Sequence, residues 1–218
     1  MSINTVIFDF DGTLADTNGM VISSWQYTYD MLGVERPSKE VLFKTFGEPL
    51  SISMEKAFPN VPVETSVGHY RDHMNAIFEE EIVPFPGTVE LIRELKSRGY
   101  KVGVATSRVK ETTMIGLNKF GIVPYLDAIV TMEDTTKHKP DPEPVLVSLK
   151  KLGAAAEEAL MIGDSMFDIR CAHNAGVKAV LVSWALAVDE EEKNGPEGPD
   201  FYIEKAEDLL TLLEKENA

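Results

Sequence analysis

Short apolar runs rich in β-branched residues, each stopping at a polar cluster, constrain the fold of this 218-residue chain more than any other feature. The first is Val6-Ile7-Phe8, with the composition of a buried strand in a parallel sheet. It runs into Asp9-Phe10-Asp11-Gly12-Thr13-Leu14. Further strand patterns lie at residues 101–105, 128–131, 160–162 and 179–182, with a weaker one at 201–203. Helical patterns separate them. One covers 88–97 and closes at Gly99, and one passes through Met114, Leu117 and Phe120 to stop at Gly121. Others cover 145–152 up to Gly153, reach Ala175-Gly176, and start at Ala206. Strand and helix alternating through short connections predict an α/β fold, a Rossmann-like parallel sheet covered on both faces through right-handed crossovers.

One segment breaks the alternation. Asp16-Thr17-Asn18 offers helix-capping chemistry to a pattern through Met20, Val21, Trp25, Tyr29 and Leu32, which Gly33 ends. A short helix follows Ser38, the stretch Phe43–Leu50 reads as a loop, and helix returns around 52–58 and 64–81. No strand is expected before Pro84-Phe85-Pro86-Gly87, a hinge-like stretch. The expected organisation is an α/β core of residues 1–16 plus 84–218, with an all-α insertion over 17–83. The acidic run at 189–192 reads as solvated surface, followed by a Gly-Pro loop.

Composition narrows the function. Lysine and arginine total 21 against 36 acidic residues, a formal charge of −15, which argues against nucleic acid and anionic membranes as partners. Cys171 is the single cysteine, so neither a disulfide framework nor a cysteine metal cluster is available. No signal peptide or membrane-spanning run is visible, and the chain reads as a cytoplasmic protein, monomeric or weakly dimeric.

The chemistry-bearing residues sit where the strands end. Asp9 and Asp11 are two apart, so both carboxylates can face one crevice at the strand's carboxyl end. Buried there unpaired, they would need a cation or hydrogen bonds. Such a pair can hold a divalent metal, supply a nucleophile and supply a general acid/base. Thr106, heading Thr106-Ser107-Arg108, ends the second strand, where its hydroxyl can meet an anion; alone it is also an ordinary helix cap. Lys139 precedes Pro140 and Pro142, which stiffen its loop; in isolation it could be a plain exposed lysine, as His138 beside it could be a loop residue. In Gly163-Asp164-Ser165-Met166-Phe167-Asp168, a carboxylate closes a strand and another follows one helical turn later. Asp168 could equally be a favourable charge in a first helical turn. Together these are the parts for phosphoryl transfer.

These four stations resemble, in order, the four motifs of the haloacid dehalogenase superfamily, and the helical insertion resembles its type-1 cap. Asp16-Thr17-Asn18, Ile22-Ser23-Ser24 and the stretch from Lys139 to Leu146 are closest to the phosphoglycolate phosphatase branch and its bacterial pyrophosphatase (PpaX-type) members. The resemblance implies a magnesium-dependent phosphatase acting on a small phosphate ester or pyrophosphate through an aspartyl-phosphate. It implies Asp9 as nucleophile and Asp11 as acid/base. Mg²⁺ would be held by Asp9, the backbone carbonyl of Asp11, and Asp164. Thr106, Ser107 and Lys139 would bind phosphate, with Asp168 in support. A β-phosphoglucomutase-like mutase shares the motifs, but family mutases carry valine for Thr13, histidine for Val21 and glutamate for Gly163. A non-catalytic phosphate-binding module is the remaining alternative, although no part of the catalytic set is missing. For specificity the loop Gly47-Glu48-Pro49-Leu50 stands out. Glu48 either faces the substrate or serves the following helix, and Arg108 and Lys44 are the candidates to meet a second anionic group.

Overall fold

The computed structural model describes residues 2–218. From the amino terminus, β1 (Thr5–Phe8) and the two-residue β2 (Ala15–Asp16) lead into four helices. These are α1 (Asn18–Met31), α2 (Lys39–Phe43), α3 (Leu50–Ala57) and α4 (Val63–Glu81). After β3 (Val83–Pro84) the chain alternates through α5 (Thr88–Ser97), β4 (Lys101–Ala105), α6 (Lys110–Lys119), β5 (Ala128–Val130), α7 (Glu143–Leu152) and β6 (Ala159–Gly163). It finishes with α8 (Met166–Asn174), β7 (Lys178–Val182), α9 (Glu190–Asn194), β8 (Phe201–Ile203) and α10 (Asp208–Glu216).

The expected parallel sheet is present, in the order β5-β4-β1-β6-β7-β8. The chain builds outward from β1 to β5 and then returns to β6 on the other side, so the switch in direction falls at β1. Phe8 pairs with Val104 on one side and Ile162 on the other, which brings Asp9, Thr106 and Asp164 out along one edge. Alternation along each strand divides the core. Val6, Phe8, Val102, Val104, Leu160, Ile162, Val180 and Val182 face α5, α6 and α10. Ile7, Ala105, Met161, Ala179 and Leu181 face α7 and α8. Both faces are therefore covered, as the near-continuous apolar strands require.

The four helices between β2 and β3 bury their own cluster. Trp25 of α1 lies 6.2 Å from Tyr29, 6.3 Å from Phe58 and 6.0 Å from Tyr70, measured between ring centroids. That cluster continues through Phe78 and Ile82 to Phe10 and Phe120 beside the sheet. A Cβ on Gly116 would come within 2.5 Å of the Phe10 ring and 2.9 Å of Ile82, so only glycine lets α6 approach this junction. The two connections between the parts pair as an antiparallel ribbon, Ala15 opposite Pro84 and Asp16 opposite Val83.

Two local features depart from the expected pattern. The ribbon has two residues per strand, too few to show a period. The acidic run begins α9, because the Asp189 carboxylate accepts from the N–H groups of Glu191 and Glu192 at 3.0 and 2.9 Å. This cap supplies what the run lacks in apolar spacing. Among the described residues no helix is long and apolar enough to cross a membrane.

Trp25 is 2% exposed and central to the helical cluster, whereas Met31 on the same helix is 51% exposed. Trp25→Ala is expected to lower unfolding stability by about 3–5 kcal/mol, and Met31→Ala by less than about 0.5 kcal/mol. Urea titration followed by far-UV circular dichroism checks both.

Candidate active site

The edge where β1, β4 and β6 end carries the polar stations. Asp9 extends the ladder by one residue, its N–H donating to the Ile162 carbonyl at 2.8 Å. Lys139 enters on the connection between β5 and α7 and is 4% exposed. Its Nζ donates to Asp9 Oδ1 and to Asp168 Oδ1, both at 2.6 Å. Asp168 is fixed from its other oxygen, since Oδ2 accepts from Ser165 N–H at 3.1 Å and from Ser165 Oγ at 2.6 Å. That reciprocal bond is a capping box at the start of α8. Two glycines make the approach possible. A Cβ on Gly163 would lie 2.3 Å from Asp168 Cβ, and one on Gly12, at φ +75°, would lie 2.1 Å from Asp164 Oδ2.

Burial and like charge set the electrostatics. Burial, with Asp168 and Asp11 adding to it against the pull of Lys139, pushes the Asp9 carboxyl up to about 7. Burial and then the neighbouring Asp168 and Asp9 push Asp164 well above the usual carboxylate range. Burial alone would discharge Lys139, but Asp168 and Asp9 outweigh it and hold the ammonium well above its ordinary value. One oxygen from each of Asp9, Asp164 and Asp168 can be chosen so that all three lie within 4.8 Å of one another. Buried carboxylates gathered around one point suit a hard divalent cation, which would offset both desolvation and mutual repulsion. The residues present fit such an ion.

The structure takes the Asp11 side chain elsewhere. Arg108 grips it as a fork, Nε at 2.8 Å from Oδ2 and Nη2 at 2.8 Å from Oδ1. The guanidinium also lies 4.4 Å from the centroid of the Phe78 ring on α4 and donates from Nη1 to Thr112 at 3.3 Å. Thr106 is buried, and its hydroxyl accepts from the Arg108 N–H at 3.1 Å; Ser107 is exposed beside it. Asp9, Asp11, Thr106, Ser107, Arg108, Thr112, Lys139, Asp164 and Asp168 line a cavity of about 560 Å³ between the sheet edge and the helices. Glu48 lines it too, but its carboxylate accepts from Ser53 Oγ at 2.6 Å and pairs with Lys56, both on α3. His138 lines the cavity, while Lys44 is exposed and outside it. Gly47, at φ +80°, sits so close to the sheet side that a Cβ there would be 2.7 Å from Ser165 Oγ.

The sequence reading did not single out the wall that α4 supplies. Val67, Tyr70, Arg71, Met74 and Asn75 line the cavity at spacings of three, four, seven and eight. That helical stripe was visible in the sequence, but it reads equally as a core face.

A family profile described as haloacid dehalogenase-like hydrolase matches residues 6–182. "Pyrophosphatase PpaX" of Bacillus cereus is 37% identical over 220 residues, covering 100% of this chain and 99% of the relative. The protein of the same name from Halalkalibacterium halodurans is 35% identical over 213 residues, with 98% of each covered. Among solved structures, a haloacid dehalogenase-like family hydrolase from Streptococcus pneumoniae superposes with a TM-score of 0.85 at 25% identity, covering 96% of this chain and 98% of that one.

The crowded carboxylates give a signed pH dependence in solution freed of divalent cations. Asp9 binds its proton at 3.8 when unfolded and at about 7 when folded, so over that window the folded state holds more protons. Its contribution is present at low pH and lost as pH rises toward about 7; Asp164 acts in the same direction. Asp164→Asn, which removes one of the repelling charges, is therefore expected to be more stable than wild type in chelator at about pH 7.5. The difference should vanish toward about pH 4, and urea titrations across the range read it out.

Proposed function

The chain belongs to the haloacid dehalogenase-like hydrolase family, and from that premise we propose that it is a magnesium-dependent phosphohydrolase that forms an aspartyl-phosphate on Asp9. The carrying observation is the placement of Asp9. Its carboxylate ends the central strand β1, is held at one oxygen by buried Lys139, and faces the cavity among the other carboxylates. Substrates of the proposed class are pyrophosphate and small phosphate esters. The names of the relatives support pyrophosphate, and the size of the cavity admits either.

In this reading Lys139 orients Asp9 through Oδ1 and leaves Oδ2 to attack phosphorus. The bond from phosphorus to the leaving oxygen breaks, and Asp11 supplies that oxygen with a proton. Asp11 then takes a proton from the water that attacks the aspartyl-phosphate, releasing phosphate and restoring the Asp9 carboxylate. Thr106 and Ser107, at the end of β4, face the non-bridging oxygens. Asp9, Asp164 and the Asp11 backbone carbonyl would hold Mg²⁺, with Asp168 steadying Lys139 from behind. When bound, the ion supplies positive charge to the transferred phosphoryl group. Residues 17–83 act as a cap over the crevice, with the ribbon of β2 and β3 as its connection. Gly163 speaks against the mutase alternative, because Asp168 already fills the space a side chain there would need.

Wild-type protein is expected to hydrolyse p-nitrophenyl phosphate and pyrophosphate with added Mg²⁺ and to lose both activities in chelator. Asp9→Asn should lower kcat by at least about 10³-fold on both while leaving the thermal midpoint within a few degrees. Turnover within about tenfold of wild type would remove Asp9 from the nucleophilic role.

A further inference from the structure

Asp11 is assigned the proton transfers, yet in this structure both of its carboxylate oxygens are taken up by Arg108. A carboxylate gripped by a planar fork cannot at the same time turn to a leaving-group oxygen. Something has to release it. Arg108 is well placed to exchange partners. Its side chain is 12% exposed, its flat face lies against Phe78, and Thr112 meets it at only one Nη1 position. Stacking fixes the plane of the guanidinium but leaves its N–H edge able to turn toward another anion. Arg71 and Asn75 line the cavity on α4, the same helix that carries Phe78, so this wall offers further polar groups to an anion.

We propose that Arg108 is a substrate-operated positioning residue that releases Asp11 when a second anionic group on the leaving side of the substrate takes its fork. The preferred substrates are then compounds in which that second group lies one bridging oxygen from the transferred phosphorus, inorganic pyrophosphate being the smallest. A simple alkyl phosphate has nothing to lift Arg108, so Asp11 stays held and the alkoxide leaves without its proton. Selectivity arises from control of the acid as well as from binding. No covalent bond is made or broken in the exchange; Arg108 trades its forked hydrogen bonds to Asp11 for a fork on the incoming anion.

This inference rests on the functional reading above, and the test separates the two. Wild type, Arg108→Ala and Arg108→Lys are compared on inorganic pyrophosphate and propyl phosphate at saturating Mg²⁺, with thermal midpoints recorded for each. Arg108→Ala is expected to lower kcat/KM for pyrophosphate at least about 100-fold, in kcat as well as KM, and to raise kcat for propyl phosphate at least about fivefold. Arg108→Lys keeps the charge without the fork and should fall between the two on pyrophosphate. Opposite signs on the two substrates are the signature. A parallel loss on both, with wild-type pyrophosphate turnover intact, makes Arg108 a tether for the cap and overturns this inference alone. No effect on either substrate overturns it as well. Wild-type protein inert toward both substrates, or toward pyrophosphate alone, refutes the pyrophosphate reading and carries this inference with it.

Discussion

The site depends on one buried cation shared between two carboxylates. Lys139 is 4% exposed, and taking an ammonium out of water at that depth is costly unless its donors are met. Asp9 and Asp168 meet them at 2.6 Å each. Asp168 in turn is braced by Ser165, whose hydroxyl and N–H hold its second oxygen. Ser165 is where Gly47 of the helical insertion comes down on the sheet edge. A continuous line of contacts thus runs from the proposed nucleophile to the loop above it. Each member is fixed by the next.

Much of this was legible in the sequence because strand ends and glycines leave local marks. A buried strand that stops in a carboxylate forces that carboxylate to the sheet edge, and buried strands in a βα alternation force the edge to be shared. Asp9, Thr106 and Asp164 are brought together on those grounds alone. Lys139 and Asp168 needed the structure, since a loop lysine and a first-turn aspartate have ordinary alternatives. What could not be read was the direction of long side chains. Arg108 follows Thr106 in the chain, but its grip on Asp11 is set by the Phe78 ring thirty residues earlier on a different element. Glu48 is similar. Its loop was visible as a break in the helices, whereas its bonds to Ser53 and Lys56 depend on how α3 turns after Pro49.

The ribbon of β2 and β3 shows why such a chain can place a helical insertion accurately with so little connecting structure. Two residues on each side leave the sheet together, antiparallel and hydrogen-bonded. The apolar cluster then continues across the junction through Phe10, Phe78 and Ile82, so the insertion is packed against the sheet as well as tethered to it. Gly116 is the concession that lets α6 close on this point. Phe78 belongs to both arrangements at once, with its ring in the cluster and its face under Arg108. Packing of the insertion and orientation of the guanidinium are therefore one constraint, read out at Asp11.

Charge completes the argument. Asp9, Asp11, Glu48, Asp164 and Asp168 line the cavity against Lys139, Arg108 and Arg71. Lys139 and Arg108 are both engaged by carboxylates, and Glu48 has its own partner in Lys56. Of the cavity's cations, the two beside the proposed nucleophile and acid, Lys139 and Arg108, are thus already spoken for, and Arg71 on α4 is the one with no carboxylate partner among the described residues. Within a few ångströms and at reduced dielectric, an excess of carboxylates opposes the approach of a phosphate dianion. Under the proposed function, a divalent cation held by Asp9 and Asp164 would reverse the sign at the floor of the cavity, and the proposed exchange at Arg108 would reverse it at the wall. Those are the two places where the transferred group and the leaving group of a diphosphate would lie. Under the proposed function, the acidic crowding that raises the Asp9 and Asp164 carboxyls would therefore also select for a substrate arriving with its metal.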